Sequence, residues 1–308
     1  MDVIDAQTVE RLSPMPELID AIEAQLKSES VSPPRQAHEL TKDASLLIMP
    51  AWQKGGVIGV KLTHVDTQRR PGVAATYILM DQGSGQPLAI LDGATLTARR
   101  TAAASALAAR TLARKNSASL LIVGTGTLCP LVAEAYASIR DLNQITLWGR
   151  AREKADCAAA AIRSFFPQVQ IAESLEDATL AADIVSCVTS ATHPLVSAHM
   201  IKAGTHIDLI GAFRPDMTEA DPSIFAAATV FVDTREGAVS EAGDLIQALA
   251  AGALTEEDIV ADLAGLSSGY ARSEDEITVF KSVGMALEDL AAAMLVYRRF
   301  AEDRGHAA

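Results

Sequence analysis

Cysteine and aromatic residues are scarce in this sequence. Its 308 residues contain three cysteines, and phenylalanine, tryptophan and tyrosine together make up 4%. Cys129, Cys157 and Cys187 are far apart and show no CxxC spacing of the kind that binds zinc or forms a redox pair. Apolar or small residues flank each one, so we expect buried free thiols and neither disulfides nor metal ligands.

Basic residues are also few relative to acidic ones. The chain carries 26 lysines and arginines against 39 aspartates and glutamates, a formal net charge of −13. This balance argues against a nucleic-acid partner or an anionic membrane surface. No apolar run is long enough to span a membrane, and the first residues show no signal-peptide pattern. We therefore expect a soluble, cytoplasmic protein.

One apolar run leads directly into a glycine-rich turn. Residues 120–123 show no polar alternation, which is typical of a parallel strand covered on both faces. Gly124 permits a tight turn, Gly126 lets the backbone approach a ligand, and Cys129 takes the third small position of the dinucleotide fingerprint. Backbone N–H groups and a helix N-terminus meet there, so we expect residues Gly124 to Thr127 to bind a pyrophosphate.

The next strand lacks the acidic residue that usually follows it in an NAD-binding unit. Residues 144–148 lead into Gly149 and Arg150, where Asp or Glu would hold the ribose 2′-hydroxyl. Arg150, Arg152 and Lys154 cluster there instead, and guanidinium groups suit a 2′-phosphate. The pattern favours NADPH, with NADH as the alternative; a solvated basic turn is the purely structural interpretation.

Strands and helices alternate through the middle of the chain. Further strands are predicted at 182–188, 205–210 and 229–233, and helices at 131–140, 152–165 and 175–181. This alternation predicts an α/β fold with a Rossmann-type, doubly wound parallel sheet. A long helix at 285–302 is expected to return to the first domain. We therefore expect an NAD(P)-binding domain over 118–284 and a discontinuous α/β domain over 1–117 and 285–308.

Two placements of basic residues are unusual. Lys61 stands within the apolar strand 57–62, so it is either exposed with a buried stem or inward and paired with an anion such as a substrate carboxylate. Arg99 and Arg100 fall in the predicted first turn of an alanine-rich helix from Leu96, where the helix dipole disfavours cations. They are either solvated surface residues or, as we favour, include at least one that binds an anion.

Two other candidate sites are excluded by their spacing. The Gly-Ser-Gly at 83–85 joins two strands as a hairpin turn, whereas a nucleophile elbow needs Gly-x-Ser-x-Gly between a strand and a helix. His193, His199 and His206 are spaced by six and seven residues, which fits no pair of metal ligands on one helix or strand. We therefore expect no metal site.

The chain resembles the ornithine cyclodeaminase and mu-crystallin family. Matching stretches cover nearly the whole chain in the family's order; besides the glycine turn they are residues 31–35, 47–50, 59–61, 71–72 with 76–77, 91–93 with 97–103, 208–217 and 276–284. The nearest branch is that of the bacterial Δ1-pyrroline-2-carboxylate reductases, which share Thr-Ala-Arg-Arg-Thr-Ala-Ala-Ala-Ser-Ala-Leu-Ala-Ala from residue 97 and Phe-Lys-Ser-Val-Gly from residue 280.

The resemblance implies a substrate-binding domain that also forms a homodimer, and a separate nucleotide domain. It implies that Arg35, Lys61 and Arg100 bind the carboxylate of a small cyclic imino acid. Lys61 is then a candidate proton relay, and His64 an alternative acid or a plain polar residue at a strand end. Thr76 is expected to add a hydrogen bond. The expected cofactor contacts are Gly124, Thr125, Gly126, Thr127, Gly149, Arg150, Lys154, Thr189, Gly211 and Val283.

One departure from the family pattern separates its branches. The cyclodeaminases carry a catalytic aspartate at the position of Phe213, and related alanine dehydrogenases use the same residue. Deamination and ring closure need a carboxylate to move protons, whereas reduction of a preformed cyclic imine does not. We therefore expect an NAD(P)H-dependent reductase of cyclic ketimines, with Phe213 packing the substrate ring. Ornithine cyclodeaminase, alanine-type dehydrogenase and a non-catalytic ligand-binding protein remain the alternatives.

Overall fold

The computed structural model describes residues 1–66, 68 and 72–305. Pro71, which contributes to the family resemblance, lies outside the described residues. The chain divides into two compact units. Unit 1 comprises Met1–Ala103 and Met285–Ala308, and unit 2 comprises Ala104–Gly284. The first boundary lies within a long helix, whereas the sequence expectation placed it after that helix, at residue 117.

The elements up to this helix are one strand, two helices and then a run of mostly antiparallel strands. They are β1 Asp2–Ile4, α1 Ala6–Leu12, α2 Met15–Leu26, β2 Ser30–Val31, β3 Gln36–Thr41, β4 Ala44–Gln53, β5 Val57–Asp66, β6 Val73–Asp81, β7 Pro87–Asp92 and α3 Gly93–Leu112.

The remaining elements are mostly short parallel strands separated by helices. They are β8 Ser119–Val123, α4 Leu128–Ala137, β9 Gln144–Trp148, α5 Arg152–Arg163, β10 Val169–Ile171, α6 Leu175–Ala181, β11 Ile184–Cys187, β12 Thr192–Val196, β13 His206–Leu209, β14 Thr218–Ala220, α7 Pro222–Ala227, β15 Thr229–Val232, α8 Arg235–Glu241, α9 Gly243–Ala250, β16 Ile259–Asp262, α10 Leu263–Leu266, β17 Thr278–Lys281 and α11 Ala286–Asp303. Two 3₁₀ turns cover Ala198–Met200 and Glu256–Asp258.

Unit 1 is built on a mixed sheet with the order β1-β7-β6-β5-β4-β2, and β3 also pairs with β4. Helix α11 packs across β4, β5 and β6 and against α2, so helices cover one face of the sheet. Gly59 makes this packing possible, because a Cβ there would lie 1.8 Å from the Tyr77 hydroxyl and 2.9 Å from Leu290. The other face carries half-buried apolar side chains: Leu46, Ile48, Val60, Leu62 and Ile78.

Unit 2 contains a parallel sheet that, in the described residues, has eight strands in the order β10-β9-β8-β11-β13-β17-β15-β16. Its first five strands follow the order of a Rossmann fold. Every residue of β11, β13 and β17 is buried, as are residues 120–123 of β8, because helices cover both faces of such a sheet. The predicted α/β, doubly wound fold is confirmed.

Two local expectations from the sequence are wrong. Helix α3 begins at Gly93, where the Asp92 side chain accepts a hydrogen bond from the Thr95 amide at 2.8 Å. Arg99 and Arg100 therefore lie beyond its first turn. Cys129 and Cys187 are buried, but Cys157 is exposed, because the alanines around it bury only one face of α5.

The helices of the described residues are all either too short or too polar to cross a lipid bilayer.

Candidate functional site

A cavity of about 660 Å³ opens in unit 2 where β8, β9 and β11 end. The strand order reverses between β8 and β11, and α/β folds of this kind bind ligands at such a point. The lining includes every expected cofactor contact except Gly211 and Val283: Gly124, Thr125, Gly126, Thr127, Gly149, Arg150, Lys154 and Thr189. The structure thus brings together residues that are widely separated in the sequence.

The glycine turn has the geometry of a phosphate cradle. Gly124 has a φ of +124°, and a Cβ there would lie 2.8 Å from the Val188 carbonyl oxygen. A Cβ on Gly126 would meet no atom within 4 Å, so the backbone at this position borders open space. Helix α4 begins at Leu128, directly after the turn. Cys129 lies in its first turn and is fully buried. These residues fit a dinucleotide pyrophosphate.

Basic residues stand at the rim of this cavity. Arg150 and Lys154 are both exposed and both line it. Arg152, also exposed, is not a lining residue and instead forms an ion pair with Asp156 at 3.2 Å along α5. Two of the three basic residues that suggest a 2′-phosphate therefore face the cavity.

Unit 1 contains a group of charges that we call the Lys61 cluster. Its buried members are Lys61, Arg100, Glu288 and Asp289, and Arg35 is a half-buried member. The Lys61 ammonium lies 2.6 Å from Asp289 Oδ2, and the Arg100 Nε donates to Asp289 Oδ1 at 2.8 Å. Arg100 Nη1 donates to Glu288 Oε2 at 2.7 Å. Lys61 and Arg100 are 2% and 5% exposed, and both carboxylates are fully buried. Of the two alternatives for Lys61, the structure shows the inward one, in which an anion, Asp289, is the partner.

Neighbouring charges and burial together set the protonation of Lys61. Burial lowers its pKa to about 8, the Asp289 carboxylate opposes this shift, and the positive charges of Arg100 and Arg35 add to it. The Asp289 pKa is lowered in spite of burial, because Arg100 and Lys61 stabilise its anion. Of the three cations that the resemblance assigned to a carboxylate, Arg100 and Arg35 therefore both act on Lys61 within unit 1.

Tyr77 lies opposite Lys61 in the register of β5 and β6. Its hydroxyl is buried and has no hydrogen-bond partner among the described residues. Burial, and then the Asp289 charge, raise the Tyr77 pKa well above its usual value. The hydroxyl thus stays protonated and adds a neutral polar group to the face of the sheet that carries Lys61.

His64 and Thr76 lie on the opposite face of the sheet from Lys61. Side chains alternate along a strand, so residues 61 and 64 of β5 point to different sides. Thr76 pairs with Leu62, one residue out of phase with Lys61, and is exposed. The structure does not bring these two residues to the Lys61 cluster.

The adjacent arginines of α3 have different partners. Arg99 donates from Nε and Nη2 to the Ser13 carbonyl oxygen, at 3.0 and 2.8 Å, and so holds the end of α1. Arg100 binds the two carboxylates of α11. Both are at most 5% exposed, so the interpretation as solvated surface arginines is wrong.

Three expected site residues follow β13 and β17. Gly211 is buried, the next residue Ala212 has an unusual φ of +52°, and Phe213 is 39% exposed. Val283 is half-buried, and its amide donates to Asp233 Oδ2 at 2.7 Å. These loops stand at the same carboxyl edge of the parallel sheet as the glycine turn.

The histidines considered as metal ligands are dispersed. His206 is buried in β13, where its Nδ1 lies 3.0 Å from the Thr278 hydroxyl, and burial lowers its pKa to about 3. His193 and His199 are exposed. Within the described part of the chain, no group of three His, Cys, Asp or Glu side chains is arranged to hold a metal ion.

Sequence reasoning missed Glu288, Asp289 and Tyr77. The signal was present, because a Glu-Asp pair directly precedes an apolar run in α11. Acidic residues are ordinary in the first turn of a helix, and that ordinary role concealed their pairing with two buried cations.

Comparison with known proteins identifies the family. The chain matches the model of the ornithine cyclodeaminase/mu-crystallin family over residues 1–304. The Δ1-pyrroline-2-carboxylate reductase of Colwellia psychrerythraea is 34% identical, over 98% of this chain and 100% of that protein.

Solved structures agree over the whole chain. Δ1-Pyrroline-2-carboxylate reductase of Thermococcus litoralis, in complex with NADH and L-proline, has a TM-score of 0.94 and 29% identity, covering 100% of this chain and 99% of that one. An archaeal alanine dehydrogenase dimer with bound NAD has a TM-score of 0.90 and 28% identity, covering 100% and 98%. The resemblance seen in the motifs is confirmed: the chain belongs to the ornithine cyclodeaminase/mu-crystallin family.

Proposed function

We propose that this protein is an NAD(P)H-dependent reductase of cyclic ketimines, converting Δ1-pyrroline-2-carboxylate to L-proline and the six-membered Δ1-piperideine-2-carboxylate to L-pipecolate. The observation that carries the proposal is the buried pairing of Lys61 and Arg100 with the same carboxylate, Asp289, with Arg35 near enough for its charge to act on Lys61. With Glu288 and Asp289 these groups carry three positive and two negative charges, which favours a small monoanion. Relatives over the full chain length bear the name of this activity.

Arg35 and Arg100 orient the substrate carboxylate. A guanidinium presents paired donors in one plane, so it fixes both the position and the plane of a carboxylate. Asp289 and Glu288 hold Arg100 in place, at 2.8 and 2.7 Å. The imine carbon adjacent to that carboxylate is thereby fixed as well, and fixed orientation is a large part of the rate enhancement.

Lys61 keeps the imine nitrogen protonated. With a pKa of about 8, most of the ammonium is charged at neutral pH, yet it gives up a proton far more readily than an exposed lysine. A bound nicotinamide cofactor supplies the hydride that completes the reduction of the C=N bond to an amine. His64, on the opposite face of the sheet, is less well placed to serve as the acid.

The residues around the unit 2 cavity bind the cofactor. Residues Gly124 to Thr127 hold the pyrophosphate, and Thr189, Gly211 and Val283 lie at the ends of the strands where the nicotinamide half is bound in this fold. Gly149 permits the close approach of Thr125, since a Cβ there would lie 2.6 Å from its methyl group. Arg150 and Lys154 bind the 2′-phosphate, so NADPH is preferred over NADH.

The protein forms a homodimer through unit 1. Helices cover one face of its sheet, and the other face carries a row of half-buried apolar side chains. A second copy of this chain would remove that row from water, with a gain of about 25 cal/mol for each Å² of apolar surface. The archaeal relative of the same fold is described as a dimer.

Deamination is the rival activity, and Phe213 speaks against it. An aromatic side chain can neither donate nor accept the protons that deamination moves. An alanine dehydrogenase shares this fold, so amino-acid dehydrogenation is also an alternative activity. A cofactor-binding protein without any turnover is the remaining alternative, and it would differ from a reductase in assay alone.

Side-by-side assays with purified protein test the proposal. We expect oxidation of NADPH with Δ1-pyrroline-2-carboxylate or Δ1-piperideine-2-carboxylate, and no product from ornithine or from pyruvate with ammonia. Lys61→Met and Arg100→Met should each lower kcat/KM more than about 100-fold while NADPH binding is unchanged. Lys54→Met is the matched control, because Lys54 is an exposed lysine of the same unit.

Turnover of ornithine, or undiminished ketimine reduction in Lys61→Met, would refute the assignment. Cofactor binding with no turnover on any of these compounds would instead favour the non-catalytic alternative.

A further inference from the structure

A second buried group of charges lies in unit 2, which we call the Lys281 cluster: Lys281 of β17, Asp244 of α9 and Glu219 of β14. All three side chains are at most 1% exposed. None of them lines the cavity. Charged groups are rarely buried unless other groups compensate their charge.

Lys281 holds the chain that follows β13. Its ammonium donates to the Leu209 carbonyl oxygen at 3.1 Å and also to the Gly211 carbonyl oxygen, and it lies 3.2 Å from Asp244 Oδ2. The loop it fixes is the one in which Ala212 has a φ of +52°. A conformation that is unfavourable for alanine persists only where the surroundings enforce it.

Asp244 holds β14 in place. Its Oδ1 accepts hydrogen bonds from the Thr218 hydroxyl at 3.0 Å and from the amides of Glu219 and Ala220 at 2.6 and 3.0 Å. Lys281, on the other oxygen, supplies a positive charge at 3.2 Å. Asp244 and Lys281 therefore form an ion pair that fixes the backbone carrying Glu219.

Glu219 stands between the loops that follow β11 and β13. Its Oε1 accepts a hydrogen bond from the Thr189 amide at 2.5 Å. A Cβ on Gly211 would lie 2.2 Å from the Thr189 carbonyl oxygen and 2.4 Å from Glu219 Oε1. The carboxyl group thus fills the space between Thr189 and Gly211, and it sets their separation.

The charge count favours the protonated form of Glu219. Lys281 can neutralise one carboxylate, and Asp244 is the better placed of the two. Cys187 of β11 and Asp208 of β13 also face this region, and neither supplies a positive charge. Glu219 Oε2 is buried and has no partner among the described residues, which costs less for a hydroxyl than for an anion. Burial also raises the Glu219 pKa to about 7.

We propose that Glu219 is a positioning residue, which in its protonated form sets the spacing of the Thr189 and Gly211 loops for the nicotinamide half of the cofactor. This inference rests on the proposed dinucleotide-dependent function. Deprotonation places a second negative charge beside Asp244 and disturbs both loops. The effect reaches the reaction through backbone placement, since Glu219 itself does not line the cavity.

Two substitutions separate this role from a purely structural one. Glu219→Ala removes the acceptor of the Thr189 amide, and we expect weaker NADPH binding and a kcat at least about tenfold lower. Glu219→Gln keeps that acceptor and places N–H donors where the acid has its hydroxyl, so it should rescue most of the loss. It should also remove any fall in kcat caused by ionisation of Glu219 above pH 7. Glu257→Gln, an exposed glutamate of the same unit, is the control.

The measurements are equilibrium titration with NADPH and pH profiles of kcat on the full-length protein. Glu219→Ala with wild-type binding and turnover would overturn the inference. A loss in Glu219→Gln as large as that in Glu219→Ala would show that a neutral amide cannot replace the acid, and would also overturn it. If Glu219→Ala does not fold, Glu219→Gln is compared with the wild type, and a loss of kcat or of NADPH affinity of about tenfold or more has the same meaning. If the wild type binds NADPH but turns over no ketimine, only the reductase assignment is refuted. NADPH titrations of the Glu219 variants still decide the role of Glu219 in that case.

Discussion

Lys61 illustrates how a single side chain acquires its chemistry from its surroundings. The ammonium is 2% exposed, and its pKa of about 8 results mainly from burial, opposed by Asp289 and assisted by Arg100 and Arg35. An exposed lysine would hold its proton too tightly to serve near neutral pH. The pair with Asp289 keeps the group charged where desolvation alone would discharge it.

This balance predicts the alkaline limb of the pH–rate profile. With Lys61 as proton donor, kcat/KM of the wild type should fall as the pH rises through about 8. Asp289→Asn removes the charge that raises the Lys61 pKa, so the fall should begin at lower pH. Breaking a buried pair destabilises a protein by about 3–5 kcal/mol, so a thermal melt must accompany the assay.

Asp303→Asn is the control for this experiment, because Asp303 is an exposed acid of the same helix, paired with Arg11. An alkaline limb that stays in place in Asp289→Asn would show that another group supplies the proton.

Sequence reasoning found the cations of this site but not their partners. An apolar strand around Lys61 signals burial, and so the need for an anion. The anion is Asp289, 228 residues away along the chain, and only the fold brings it to β5. A substrate carboxylate was the natural candidate as long as the contacts of α11 were unknown.

At the scale of elements, β9 and the turn after it set the expected cofactor preference. The turn brings Arg150 to the cavity, whereas Arg152, two residues later, pairs with Asp156. Whether a basic residue reaches the ligand thus depends on where α5 begins.

Replacement of Arg150 tests that preference. Arg150→Ala should raise KM for NADPH about 10- to 100-fold, because hydrogen bonds from a guanidinium to a phosphate are lost, and should leave KM for NADH nearly unchanged. Arg152→Ala should alter neither value. Initial rates with each cofactor give the comparison, and equal effects of Arg150→Ala on both cofactors would contradict the 2′-phosphate assignment.

Strands with a marked hydrophobic pattern were predictable, and those without one were not. The buried runs at β8, β11 and β13 were expected from apolar composition alone. All six residues of β3 are exposed, and the strand forms through backbone pairing with β4. Such pairing leaves no hydrophobic pattern in the sequence, so this strand could not be predicted. Short strands such as β12 and β14 depend on each other for pairing, and no local signal marks them.

At the scale of the whole molecule, the sheet of unit 1 has one face covered by helices and one row of half-buried apolar side chains. The proposed dimer would cover that row, and its oligomeric state in solution is therefore a direct test. We expect sedimentation of the wild type as a dimer. Ile48→Asp should shift it towards monomer, because a charge in an apolar interface is costly to desolvate.

Val260→Asp provides the control, since Val260 is an exposed apolar residue of unit 2. A wild-type protein that sediments as a monomer would remove the basis for a unit 1 interface.

The neighbouring guanidinium groups of α3 have a practical consequence for redesign. One tethers the carbonyl of Ser13 and the other meets the acids of α11. Under the proposed assignment of Arg100 to the substrate carboxylate, its exchange would alter ligand choice and leave the anchor of α1 intact. The same exchange at Arg99 would loosen the scaffold and leave ligand choice as it was. Arg99 and Arg100, although adjacent and identical, would therefore be changed for different purposes.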